Sequence, residues 1–140
     1  MVSEHLMERI KKNEGFSRKP YLDSVGKVTI GYGRNLEDRG ISKSEAEYML
    51  INDIHNAEDK LEEHLGYVLK NLNDARKEVL IEMVFNMGIY SVLKFKKMIK
   101  ALTLGNYEKA ADEMLDSKWA KQVKKRAIEL SKIMKSGKRN

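Results

Sequence analysis

The feature that most constrains this chain is an abrupt change of texture. Five of its nine glycines fall between Gly15 and Gly40, and the only proline, Pro20, lies among them. Proline removes a backbone donor and glycine carries a high entropic cost in a helix, so residues 16–40 are predicted to form loops and short strands. Within that stretch Tyr21-Leu22 and Lys27-Val28-Thr29-Ile30 are β-prone, with Ser24-Val25-Gly26 as the turn between them. A small antiparallel sheet follows, and a further strand is expected through Tyr32.

The rest of the chain reads as helix. Leu6, Met7 and Ile10 share one face over residues 4–13, with Gly15 as the C-cap. Ser42-Lys43-Ser44-Glu45 is a capping box. It opens a long helix in which Ala46, Met49, Leu50, Ile54, Ala57 and Leu61 recur at helical spacing, ending near His64 and Gly66. Further helices are expected over 73–87, 95–104, 107–115 and 123–135, and residues 137–140 read as a frayed tail. The helix over 73–87 is apolar on nearly all sides, which predicts burial in the middle of a bundle. The fold class is therefore α+β, mostly helical, in one domain over 1–140. A small β-containing N-terminal lobe (1–41) is joined by a linking helix (42–65) to a larger helical lobe (66–140).

Composition excludes several function classes. With no cysteine, a disulfide scaffold, a thiolate zinc site and a cysteine nucleophile are ruled out. His5, His55 and His64 lack metal-ligand spacing, so no metal and no cofactor are expected. The eight methionines at helical spacing read as core filler, and Trp119 as a core anchor rather than a sugar platform. The opening residues are charged, so no signal peptide is expected, and no apolar run suits stable membrane insertion. Lys and Arg total 27 against 21 acids, a net +6. That balance favours an anionic partner such as nucleic acid, anionic lipid or a bacterial wall polymer. It is uneven: residues 118–139 hold nine bases and one acid, Glu129.

Chemistry concentrates between Glu14 and Arg34. Glu14 sits in the last turn of the first helix, where the helix dipole mildly disfavours a carboxylate. Asp23 precedes a turn and Thr29 lies on a predicted strand. Taken singly, these are an exposed Glu, a turn-capping Asp and a β-former. Taken together, a hairpin folded over the helix end gathers two carboxylates and a hydroxyl at one cleft. That is the minimum apparatus for glycoside hydrolysis. Gly31 and Gly33 would let a bulky polymer approach the backbone.

Glu14-Gly15, Asp23, Thr29, Gly31 and Gly33, at these spacings, resemble the phage-type lysozymes (endolysins) of glycoside hydrolase family 24, the T-even type in particular. The likeness extends to Gly40-Ile41-Ser42, to residues 83–88, and to Ser117-Lys118-Trp119 with Gln122 and Arg126-Ala127. It implies a lysozyme-like fold and a muramidase cleaving the β-1,4 bond between N-acetylmuramic acid and N-acetylglucosamine in peptidoglycan. By that resemblance Glu14 is the general acid, and Asp23 and Thr29 hold the attacking water, with inversion. Arg126 supports the catalytic Glu, and Asn35 and Phe85 line the sugar cleft beside Gly31 and Gly33. Arg34 replaces a family histidine, and Met98 and Glu113 stand where the family has Ser and Asn sugar contacts. Inversion predicts Glu14 and Asp23 carboxyls ~6.5–9.5 Å apart. The expected partner is the glycan strand. The chain is expected to act as a monomer, with no obligate protein partner and no nucleic acid. It is expected to be made in the host cytoplasm and to act on the cell wall after release. A lytic transglycosylase cutting the same bond, and a non-enzymatic basic nucleic-acid-binding protein, are the alternatives.

Overall fold

The computed structural model describes residues 1–140. They divide into two units, Met1–Tyr48 and Met49–Asn140.

The first unit opens with α1 (Glu4–Glu14), capped by Ser3, whose Oγ accepts the Leu6 N–H at 3.1 Å. Gly15 ends the helix at φ 74°. Three antiparallel strands follow in the order β1 (Ser17–Leu22), β2 (Val28–Gly31), β3 (Arg34–Asn35). Leu22 pairs with Val28, and Thr29 pairs with Tyr21 on one side and Asn35 on the other. The register breaks between Ser17 and Tyr21. Pro20 falls there, as a residue without an N–H must on an edge strand. The strand expected through Tyr32 is instead a turn at Tyr32-Gly33. Positive φ at Gly31 and Gly33 reverses the chain, and pairing resumes at Arg34. The four-residue α2 (Leu36–Arg39) is too short for periodicity to reveal; Asn35 caps it.

α3 (Lys43–Leu69) crosses from one unit to the next. Its capping box forms: Ser42 Oγ accepts the Glu45 N–H at 3.1 Å, and Glu45 Oε1 accepts the Ser42 N–H at 2.8 Å. The stop expected near His64 is a kink at Leu65 (φ −131°, ψ 22°), after which one more helical turn continues.

The second unit holds α4 (Asp74–Met87), α5 (Ile89–Leu93), α6 (Lys96–Thr103), α7 (Tyr107–Leu115), α8 (Lys118–Val123) and α9 (Lys125–Ser136). α4 buries one side, with Ala75, Val79, Leu80, Met83 and Val84 in the core, while Glu78 and Phe85 stay at the surface. It is thus less enclosed than its composition predicts. α7 packs between α6 and α9. Trp119 is buried, and its indole N–H donates to Asn86 Oδ1 at 2.7 Å, so it is an anchor. The predicted frayed tail is tied down. Asn73 donates to the Gly137 carbonyl at 2.8 Å, and Arg139 grips Glu78 with two bonds of 2.8 and 2.5 Å. No helix is long and apolar enough to cross a membrane.

Candidate active site

Glu14 is the last residue of α1, and Gly15 turns the chain directly into the sheet. Its carboxyl lies against the β2–β3 turn: a Cβ built on Gly33 would fall 2.8 Å from Glu14 Oε2. Gly33 also has φ +84°. A side chain is therefore excluded there twice, by conformation and by the carboxyl it would strike. Gly31, at φ +68°, has open space where a Cβ would go. Glu14 is exposed. A cavity of about 240 Å³ is lined by Glu14, Gly15, Phe16, Ser17 and Tyr21. Phe16 and Tyr32 stack at 5.3 Å between ring centroids, and the Lys11 ammonium lies 5.5 Å from the Tyr32 ring, so α1 and the turn are joined beside Glu14.

Asp23 organises the hairpin turn, as aspartate in a turn commonly does. Its Oδ1 accepts the N–H groups of Val25 at 3.0 Å and Lys27 at 2.9 Å. Both bonds use one oxygen, which leaves Oδ2 without a bond while the carboxylate plane is fixed. Thr29 is the only buried residue of the first unit, 3% exposed. Its hydroxyl donates to the Lys27 carbonyl at 2.9 Å, so the remaining capacity of Oγ1 is as an acceptor. Asn35 is committed elsewhere. Oδ1 accepts the Asp38 N–H and Nδ2 donates to Asp38 Oδ2, each at 3.0 Å.

The other two expected site residues, Phe85 and Arg126, belong to the second unit. They line a cavity of about 470 Å³ with Leu50, Ile54, Ile81 and Glu82 among its walls. Phe85 is 42% exposed. Arg126 Nε donates to Glu82 Oε2 at 2.8 Å, and its terminal nitrogens make no hydrogen bond within the unit. Met98 is fully buried in the core, and Glu113 pairs with Lys109 at 3.3 Å, which accounts for both without a sugar.

One cluster beside the turn is not readable from spacing. Arg34 forks onto Glu45, Nη1 to Oε1 at 2.9 Å and Nη2 to Oε2 at 2.6 Å, and Nη1 also donates to the Gly40 carbonyl at 3.1 Å. The fork, with the Ser42 N–H and hydroxyl behind it, pulls the Glu45 carboxyl down to about 2 and raises Arg34. The signal available was the capping box itself. It predicts where Glu45 points, but not what else it holds.

A small three-stranded sheet with a carboxyl-bearing helix end packed on its turn in one unit, and a helical bundle in the other, make up an α+β chain of the lysozyme-like class. The sequence model of the phage lysozyme family matches residues 11–135, and the chain belongs to that family of wall-lytic glycosidases. It is similar to probable T4-type lysozyme 1 of Dictyostelium discoideum, 29% identical over 98% of this chain and 96% of the relative. The endolysin of Salmonella phage P22 is 30% identical over 81% of each chain. The pre-baseplate central spike protein Gp5 of Enterobacteria phage T4 is 27% identical over 94% of this chain but only 28% of its own length.

Proposed function

We propose that this protein is an endo-acting, inverting muramidase. It hydrolyses the β-1,4 bond between N-acetylmuramic acid and N-acetylglucosamine of peptidoglycan and lyses the host cell wall. Glu14 gives its proton to the glycosidic oxygen as the bond to the anomeric carbon breaks. A water attacks that carbon from the opposite face. Asp23 Oδ2 takes one proton of the water, and Thr29 Oγ1 accepts its other O–H. Net transfer of a proton to Asp23 and from Glu14 is reset through solvent before the next turnover.

The observation that carries this reading is the division of labour within Asp23. Oδ1 is locked by two backbone donors and Oδ2 is left free, on the hairpin that also carries Thr29. A fixed carboxylate with one open oxygen, on the same hairpin as a hydroxyl able only to accept, suits a held water. Gly31 offers the open backbone a sugar needs, and Gly33 serves the acid instead. Asn35 enters as the cap that holds α2 beside Thr29 rather than as a side-chain contact. Phe85 supplies an apolar surface for sugar, and Arg126 keeps its terminal nitrogens unspent for the supporting role that the family resemblance gives it. The net +6 holds the enzyme on anionic wall polymer.

The test is product stereochemistry. Proton NMR in the first minutes of digestion of wall glycan should show the α-anomer at the new reducing end. Initial β-anomer, or a glycosyl ester on Asp23, would make Asp23 a nucleophile. An anhydro end would make the enzyme a transglycosylase.

A further inference from the structure

We propose that Arg34 is a positioning residue for Glu14, acting through the backbone of Gly33. The inference rests on the reading of Glu14 as the acid and goes beyond it. Glu14 has no hydrogen bond from any side chain of its unit to hold its carboxyl; what it has beside it is the Gly33 main chain, where an added Cβ would fall 2.8 Å from Oε2. That main chain belongs to a turn of two exposed or half-exposed residues between strands of only four and two residues. Two β3 residues paired to β2 are a weak tether. The next residue along, Arg34, supplies the missing anchor. Its guanidinium is gripped by both oxygens of Glu45 and by the Gly40 carbonyl. Glu45 is itself fixed by the capping box at the start of α3. The chain of restraint therefore runs from the first turn of a 27-residue helix, through Glu45 and Arg34, to the turn that Glu14 rests on.

The fork geometry matters. A planar guanidinium held at both carboxylate oxygens resists rotation as well as translation, which a single point contact does not. A displacement of about 1 Å at a reacting group can cost on the order of 100-fold in rate. A loosened Gly33 would let the Glu14 carboxyl wander without removing any contact to the sugar. The signature is a loss in kcat with KM little changed.

The experiment compares Arg34→Met, Arg34→Lys, Glu45→Gln, Glu14→Gln and Arg139→Met on soluble glycan fragments, with thermal unfolding of each. Arg139→Met removes the matching Arg–Glu fork of the second unit and controls for lost stability. Arg34→Met should lower kcat by about tenfold with KM within about twofold. Arg34→Lys, keeping charge and one bond, should recover part of that loss, and Glu45→Gln should fall between. Arg139→Met should lose a similar amount of stability and keep its kcat. If Glu14→Gln is inactive while Arg34→Met and Glu45→Gln turn over normally, the positioning role is wrong and the acid stands. If Arg139→Met loses kcat as Arg34→Met does, the effect is general destabilisation and the proposal fails. If Glu14→Gln stays active, the acid assignment falls and takes this proposal with it.

Discussion

The two units of this protein are held together by different forces. In Met49–Asn140 a continuous apolar core runs from Ala57 to Met134 and includes Leu80, Met83, Met98 and Met114 with no exposed surface. In Met1–Tyr48 the one buried residue is Thr29, and the order comes from polar fastenings: the Asp23 turn, the Asn35 cap and the Arg34–Glu45 fork. The proposed acid, base and water-holding hydroxyl all sit in the unit without an apolar core. Directional bonds set angles, whereas apolar burial is non-directional and mainly sets stability. The chemistry is placed where geometry is specified, and the stability where bulk can be buried.

That contrast predicts that the two units fail in different ways. The largest effect is expected at Glu14. Glu14→Gln should cost roughly 10²–10⁴ in rate on bacterial walls, measured by turbidity, with its unfolding midpoint unchanged. Activity above about a tenth of the parent would remove Glu14 from the acid role, since general acid catalysis is worth far more than that. Met83→Ala should do the reverse, costing about 2–5 kcal/mol in urea unfolding while the folded fraction keeps its specific activity. A loss below about 1 kcal/mol would mean that the core of the second unit relaxes into the space left behind.

Gly33→Ala should mix the two. The φ of +84° makes any side chain there cost about 1–3 kcal/mol, and the displaced Glu14 should lower turnover as well. If only stability falls, the carboxyl does not depend on the turn. Acid titration sharpens the comparison next. The Glu45 carboxyl, held at about 2 by the Arg34 fork, has a folded value below its unfolded 4.5. Its contribution is therefore complete above 4.5 and is lost as pH falls through 4.5 toward 2. The stability gap between the parent and Glu45→Gln should be open at neutral pH and close over that window. A gap that persists to the lowest pH would place the effect in packing. The smallest effect is expected at Lys124, the only non-glycine residue with positive φ, 48°, at the α8–α9 junction. Lys124→Gly should stabilise the second unit by about 1 kcal/mol in thermal unfolding. A neutral or negative result would mean that the lysine side chain offsets the strain.

The second unit was the more legible from sequence, because apolar periodicity reports burial directly. Residues 107–115 and the start of α4 after Asn73 fall where that period places them, while α5 and α8 are too short to carry a full period. The site in the first unit was legible only as a constellation. Glu14, Asp23 and Thr29 each have an ordinary local explanation, and Asp23 satisfies its own fully with one oxygen. What the spacing cannot convey is long-range pairing between side chains. Arg34 meets Glu45 eleven positions on, Arg126 meets Glu82 forty-four positions back, and Arg139 returns sixty-one positions to Glu78. Those distances are set by tertiary packing, which no local period encodes. The anchored tail was missed for this reason.

The fully buried methionines have a consequence of another kind. Met83, Met98, Met114 and Met134 have no exposed surface, whereas Met7 and Met49 are about half exposed. A thioether is oxidised to its sulfoxide only where oxidant can reach it. In dilute peroxide Met7 and Met49, like the exposed Met1, should therefore be modified at once, and the four enclosed ones only during excursions that open the core. Mass spectrometry of the sulfoxides over time would thus read how often the helical unit breathes, residue by residue. Four natural sulfur atoms make the protein its own recorder of opening, with no probe attached.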